Sequence, residues 1–201
     1  QRYQKNGRMP NRCFARRPIV RSGPAGRFPG AAEGKSTLFS RIALTFRIKK
    51  VIFADMELRV KQVREVTGPL LDAFARLMPQ LSPRLAAPSA ARLREIAASP
   101  SAALFAAEAG GCVRGLLTLV WYDVPSGRKA WIEDVVVDAE VRGTGAGRAL
   151  VAAALEHAAG VGAGEVLLTS NPAREAARAL YRKMGFEEAA TTVFAIKTDA
   201  E

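Results

Sequence analysis

Between Trp131 and Ala159 the chain runs from an apolar stretch into a glycine-dense turn and then into a helical repeat. The stretch Trp131-Ile-Glu-Asp-Val-Val-Val-Asp138 has the β-branched content of a largely buried strand. Ala-Glu-Val follows, then Arg142-Gly143-Thr144-Gly145-Ala146-Gly147-Arg148. From Gly145 to Ala159, Leu150, Val151, Ala154, Leu155 and Ala158 share one helical face. A strand, a tight turn and a helix N-terminus therefore meet at one point. The first turn of such a helix has N–H groups without intrahelical partners and the positive end of the helix dipole. Glycines remove the Cβ atoms that would hold an anion away from the backbone. Arg142 and Arg148 add cationic donors. The stretch reads as an anion cradle, with a diphosphate as its natural guest.

The spacing narrows the guest. A dinucleotide fingerprint needs two residues before its third glycine and a ribose-binding acid about 20 residues on. A P-loop needs Gly-Lys-Ser/Thr after four intervening residues. The cradle has neither. Gly30-Ala-Ala-Glu-Gly34-Lys35-Ser36 comes near the P-loop pattern but has three intervening residues and no clear strand before it.

Around the cradle the periodicity predicts an orderly series. Leu58–Val63 alternates as a strand, and Gly68–Met78 has helical spacing until Pro79 interrupts it. A short helix over Ser89–Ala98 follows, with Ser89 as its N-cap. Ala102–Ala109 and Val113–Tyr122 read as a hairpin about Gly110-Gly111. Pro125-Ser126-Gly127 turns the chain into Lys129–Val137. Glu165–Thr169 is a buried strand. Asn171 is read as a cap with Pro172 at the first helical position, and that helix ends at Gly185. Phe186–Lys197 is expected to add one or two strands. The class is α/β (α+β), with mixed strand directions and no regular βαβ series.

The net charge of +11 belongs to one segment. Residues 1–55 carry 13 Lys/Arg and 2 Asp/Glu, whereas 56–201 carry 17 of each. The chain thus divides into a basic extension, 1–55, poorly structured to about residue 37, and a balanced domain, 56–201. A basic tail binds polyanions without specificity and makes no nucleic-acid reader of the domain. Three readings of 1–55 stay open: an upstream stretch before a true start at Met56, an arginine-rich and acid-poor organelle presequence, and an interaction tail. Cys13 and Cys112 define neither a disulfide-dense scaffold nor a metal set, and the single His157 adds no metal spacing; this fits a reducing, cytoplasmic setting unless a presequence redirects the chain. His157 reads as an exposed polar residue. No apolar run is long enough to span a membrane.

Arg142-x-x-Gly145-x-Gly147 resembles the Arg/Gln-x-x-Gly-x-Gly/Ala signature of the GNAT superfamily of acyl-CoA-dependent N-acyltransferases. Leu168-Thr-Ser-Asn-Pro-Ala-Arg-Glu-Ala-Ala-Arg-Ala-Leu-Tyr-Arg-Lys-Met-Gly-Phe186 is similar to that family's second coenzyme segment. The resemblance covers residues 57–197. It implies a mixed, mostly antiparallel central sheet, flanked by helices and splayed in a V between its fourth and fifth strands by a bulge. It implies acetyl-CoA as cosubstrate, with the diphosphate on the amides of Gly143–Arg148 and the pantetheine arm along Val135, Val136 and Val137. Asn171 would touch that arm, and Arg178 and Arg182 would flank the nucleotide end. Dimers are common among look-alikes, so a homodimer is among the expected partners.

The implied chemistry is direct attack of an amine on the thioester, with no covalent enzyme intermediate and no metal. Tyr181 resembles the family's general acid, and a phenol is protonated at neutral pH. Glu133 and Asp134 are the candidate bases. Two adjacent acids on an apolar strand are costly unless paired or functional, and strand alternation would send them to opposite faces. The pocket for the acceptor is expected from 77–88, the Tyr122–Lys129 turn and the C-terminal strands, with Trp121, Tyr122 and Trp131 lining it or filling the core. A small-molecule amine is the leading acceptor. A protein N-terminus or lysine, and a coenzyme-binding module without catalysis, are the alternatives.

Overall fold

Two short turns and one helical crossover settle the sheet. Gly110-Gly111 and Pro125-Ser126 join consecutive strands through two residues each, a connection that permits only antiparallel neighbours. The computed structural model describes residues 57–198; the basic segment and its near-P-loop lie outside the described residues. Strands β1 (Arg59–Gln62), β2 (Ala102–Ala109), β3 (Cys112–Val124), β4 (Gly127–Val137) and β5 (Glu165–Leu168) lie side by side in chain order. The first four are antiparallel. A helix intervenes between β4 and β5, which are accordingly parallel.

Among the described residues the α-helices are α1 (Gly68–Leu81), α2 (Ala90–Ala98), α3 (Ala146–Gly160) and α4 (Glu175–Lys183). The two-residue period of β2 assigns its side chains to two cores. Ala103, Phe105 and Ala107 pack with Leu117, Leu119, Ala130 and Ile132 against Leu150, Val151 and Ala154 of α3. Leu104 and Ala106 pack with Val113, Leu116 and Val136 against Leu70, Phe74 and Leu77 of α1 and Leu93 of α2. Ser89 caps α2 as expected, its hydroxyl accepting from the Arg92 amide at 3.1 Å.

Four readings are corrected. Pro79 does not end α1, which continues to Leu81. The carbonyl that loses its partner to Pro79 belongs to Ala75, which is exposed to water. Asn171 does not open α4: its side-chain oxygen accepts from the Ala173 amide at 2.9 Å, closing a turn, and the helix starts at Glu175. His157 is half-buried, its ring 5.2 Å from Trp121 and 5.7 Å from Phe105. Residues 187–198 form no strand; Val193, Phe194 and Ile196 are exposed there. The end of α4 is as read, with Gly185 at φ 91°. The amides of Phe186 and Gly185 close back onto the carbonyls of Tyr181 and Arg182.

Candidate active site

The break in β4 begins with a count. Thr118 pairs with Glu133 and Leu116 with Val136, so Asp134 and Val135 face a single residue of β3. This is a β-bulge, and Asp134 takes φ 51° within it, a conformation that aspartate tolerates better than most residues. The bulge shifts the side-chain phase by one. Before it Ala130 and Ile132 face α3; after it Val135 and Val137 do. The expectation that Glu133 and Asp134 point to opposite faces by simple alternation therefore needs correction, because Asp134 is the inserted residue. Both are exposed.

The bulge coincides with the splay. β4 and β5 pair from Lys129/Glu165 to Ile132/Leu168 and no further. Beyond that point β4 stays with β3, and the Asp138 amide donates to the Arg114 carbonyl at 2.8 Å. By alternation the main-chain groups of Val135 and Val137 then face the gap. The Val137 carbonyl accepts from Arg142 Nε at 3.2 Å. On the opposite bank, the Ser170 hydroxyl is buried without a hydrogen-bond partner.

The cradle closes one end of the gap. Gly145 precedes α3 at φ 98°, Gly143 has φ 83°, and no side chain caps the helix. The first intrahelical bond runs from the Ala149 amide to the Gly145 carbonyl at 2.9 Å, so the amides of Ala146, Gly147 and Arg148 lie ahead of the ladder. Thr144 is exposed, its hydroxyl donating back to the Val141 carbonyl at 2.7 Å. Ala146 is buried in the core, while Arg142 and Arg148 are exposed. Gly147 has a different reason for lacking a side chain: a Cβ there would lie 3.2 Å from Leu180 Cδ2 of α4. Likewise a Cβ on Gly115 would come within 2.9 Å of Leu150 Cδ1, so β3 is bare where α3 settles on it.

Tyr181 packs in the core that also holds Val135, Val137 and Leu168, the two banks of the gap. It is 9% exposed, and its ring meets Phe186 edge-on at 5.9 Å. Burial raises its phenol, against the opposing pull of Arg174. Glu133 faces away from α3; exposed as the residue is, its carboxyl is raised first by partial desolvation from the surrounding chain and then by the Asp134 charge. Tyr181 thus lies on the α3 side of the sheet at the gap, and Glu133 on the other side of β4, beside the bulge. Arg178 and Arg182 both donate to Glu188, Arg178 at 2.8 Å.

One cluster went unseen in the sequence. Asp138, 4% exposed at the end of β4, pairs with Arg76 of α1 and with Arg114 of β3, the latter at 3.1 Å. It also accepts from the Glu140 amide at 3.3 Å, and Gln80 of α1 accepts from the Ala139 amide at 2.9 Å. These contacts fix the 3-10 turn Ala139–Val141 that leads into the cradle. Arg174 similarly donates to the Leu81 carbonyl at the end of α1. The signal for Asp138 was its place at the strand end, but its partners lie 62 and 24 residues away.

The acetyltransferase (GNAT) family profile matches residues 70–186, more than half of the chain. The chain belongs to the GNAT family. It is therefore an acyltransferase, and its splayed mixed sheet is the family's fold. Solved structures of like fold include the aminoglycoside N-acetyltransferase AAC(6')-Iy in complex with CoA, at 22% identity over 71% of this chain and 95% of that one (TM-score 0.61). An aminoglycoside acetyltransferase from an uncultured soil metagenomic sample, in complex with sisomicin, is 19% identical over 74% and 99% (TM-score 0.59). A transcriptional regulator from Bacillus halodurans is 23% identical over 71% and 100% (TM-score 0.60). No curated protein matches the sequence. No helix among the described residues of this GNAT protein is long and apolar enough to cross a membrane.

Proposed function

We propose that this chain transfers an acetyl group from acetyl-CoA to a primary amine of a small molecule, by direct attack within a ternary complex. The domain doing so is 56–201. The observation that carries the reading is the parting of β4 from β5 beyond Ile132/Leu168, at a gap that ends on the uncapped N-terminus of α3. The fit to the cosubstrate rests on its chemistry. A diphosphate suits the amides from Gly143 to Arg148, with Gly143 and Gly145 leaving open space in front. An arm carrying two amides suits the gap-facing main chain of Val135 and Val137, the adjoining Val136 segment and the partnerless Ser170 hydroxyl. Arg142, Arg148 and Arg178 supply cations around the phosphates, and Asn171 keeps its side-chain NH2 for the arm.

Acetyl-CoA supplies an acyl carbon activated by sulfur. Glu133, or Asp134 beside it, takes the proton that the amine must lose. A raised carboxyl is the better base near neutral pH, since it binds that proton more strongly. Tyr181 donates a proton to the sulfur as the carbon–sulfur bond breaks, and its raised phenol keeps it protonated until then. The new nitrogen–carbon bond leaves an amide and a free thiol. The two groups approach from opposite sides of the sheet, which supports one delivering and the other accepting.

Thiol release from acetyl-CoA, followed with a panel of primary amines, tests this. Turnover is expected, with kcat reduced by roughly 100-fold in Glu133→Gln and in Tyr181→Phe. Coenzyme binding without thiol release for any amine would support a binding module instead, and turnover restricted to peptides would favour protein acetylation.

A further inference from the structure

Trp121, Tyr122 and Trp131 separate onto the two faces of the sheet. Trp121 lies under α3, against His157. Its neighbours in β3 therefore face the other way. So does Trp131, which sits between Ala130 and Ile132 of the α3 core. On this second face α1 and α2 cover Leu104, Ala106, Val113, Leu116 and Val136. They do not cover Tyr122 and Trp131. Tyr122 is 43% exposed and Trp131 half-buried. The Trp131 Nε1–H donates to the Tyr122 hydroxyl at 3.1 Å. That bond holds the indole in one orientation and uses its only donor, so what the ring offers to a ligand is its π face. Glu133 follows two residues on, on the same face, about 7 Å along the strand. Lys129, opposite Tyr122, is tied to Glu165 at 3.0 Å.

We propose that Tyr122 and Trp131 form a second cation subsite for the acceptor, so that this enzyme selects diamines and larger polyamines over monoamines. This rests on the acetyl-transfer reading of the gap. The reactive nitrogen lies by Glu133, and a second ammonium about 7 Å from it lies over the indole. The exposed carboxylate of Glu133 on this face, with Asp134 next to it in the chain, gives the ledge the charge complementary to such an acceptor. Tyr122 acts as a positioning residue, through the ring it holds.

The test compares 1,5-diaminopentane with pentylamine, using the full chain and acetyl-CoA. The diamine should have the higher kcat/KM, by roughly tenfold, mainly through KM. Trp131→Leu should erase that preference while leaving the KM for acetyl-CoA in place. Trp131→Phe, which keeps a π face, should retain most of it, and Tyr122→Phe should retain part. Calorimetric titration of the diamine into the CoA-loaded protein reads the same subsite without turnover. If diamine binding depends on Trp131 but no thiol is ever released, the subsite stands and the transfer reading falls. If the wild-type enzyme shows no diamine preference, or Trp131→Leu keeps it, the proposal is overturned.

Discussion

Glu133 and Asp134 show how a single inserted residue changes the meaning of two side chains. Without the bulge, alternation would have buried one acid in a core. With it, both acids are exposed, and the charge of Asp134 helps to raise the Glu133 carboxyl. Asp134→Asn is the informative variant, because asparagine tolerates φ 51° equally well and the bulge survives. Removing that charge lowers the Glu133 carboxyl toward its ordinary range, so the acid limb of the kcat/KM profile should move to lower pH. An unmoved limb would remove Glu133 from the role of base. Glu133 was legible as a costly acid on an apolar strand. The bulge beside it was not, because Glu-Asp-Val-Val carries no glycine, proline or other turn signal, and the slip exists only in the pairing with β3.

At the scale of elements, α3 owes its place to glycines with unlike tasks. Gly145 accepts a left-handed backbone and Gly147 accepts the approach of α4, although the sequence presents both as parts of one cradle. Gly145→Ala should cost about 1 kcal/mol of stability from backbone strain. It should also raise the KM for acetyl-CoA by roughly tenfold, as a loss of about 1.4 kcal/mol in diphosphate binding requires. Chemical denaturation alongside initial rates separates the two effects. The turn ahead of α3 depends on Asp138. Burial raises that carboxyl, but the Glu140 amide with Arg114 and Arg76 outweighs the burial and holds it below the usual aspartate range. A carboxyl lowered on folding contributes stability above its unfolded pKa and loses it as pH falls through the folded value. Asp138→Asn should therefore cost on the order of 3 kcal/mol near neutral pH, with a deficit that shrinks on acidification below about pH 4. Denaturant melts of both proteins across pH measure it. The start of α4 misread for a local reason: Asn171-Pro172 has the chemistry of a cap, but the Asn171 oxygen is spent on its own turn.

Over the whole molecule, the strand order and the flanking helices were legible because short turns and period-two alternation leave few other arrangements. The division of the chain into a basic extension and a balanced domain rests on the charge map alone, since residues 1–55 lie outside the described residues. What stayed hidden depends on distant partners: Asp138 with Arg76, Trp131 with Tyr122, and β5, which among the described residues pairs only with β4. The stretch Thr192-Val-Phe-Ala-Ile196 alternates as a strand would, yet alternation names no neighbour, and among the described residues none pairs with it. All of the chemistry proposed for the gap requires that its end bind a diphosphate through main-chain amides. Calorimetric titration of acetyl-CoA into the full chain measures that directly. The account predicts one saturable site per chain, weakened in Gly145→Ala; no heat of binding, or binding indifferent to that substitution, would contradict it.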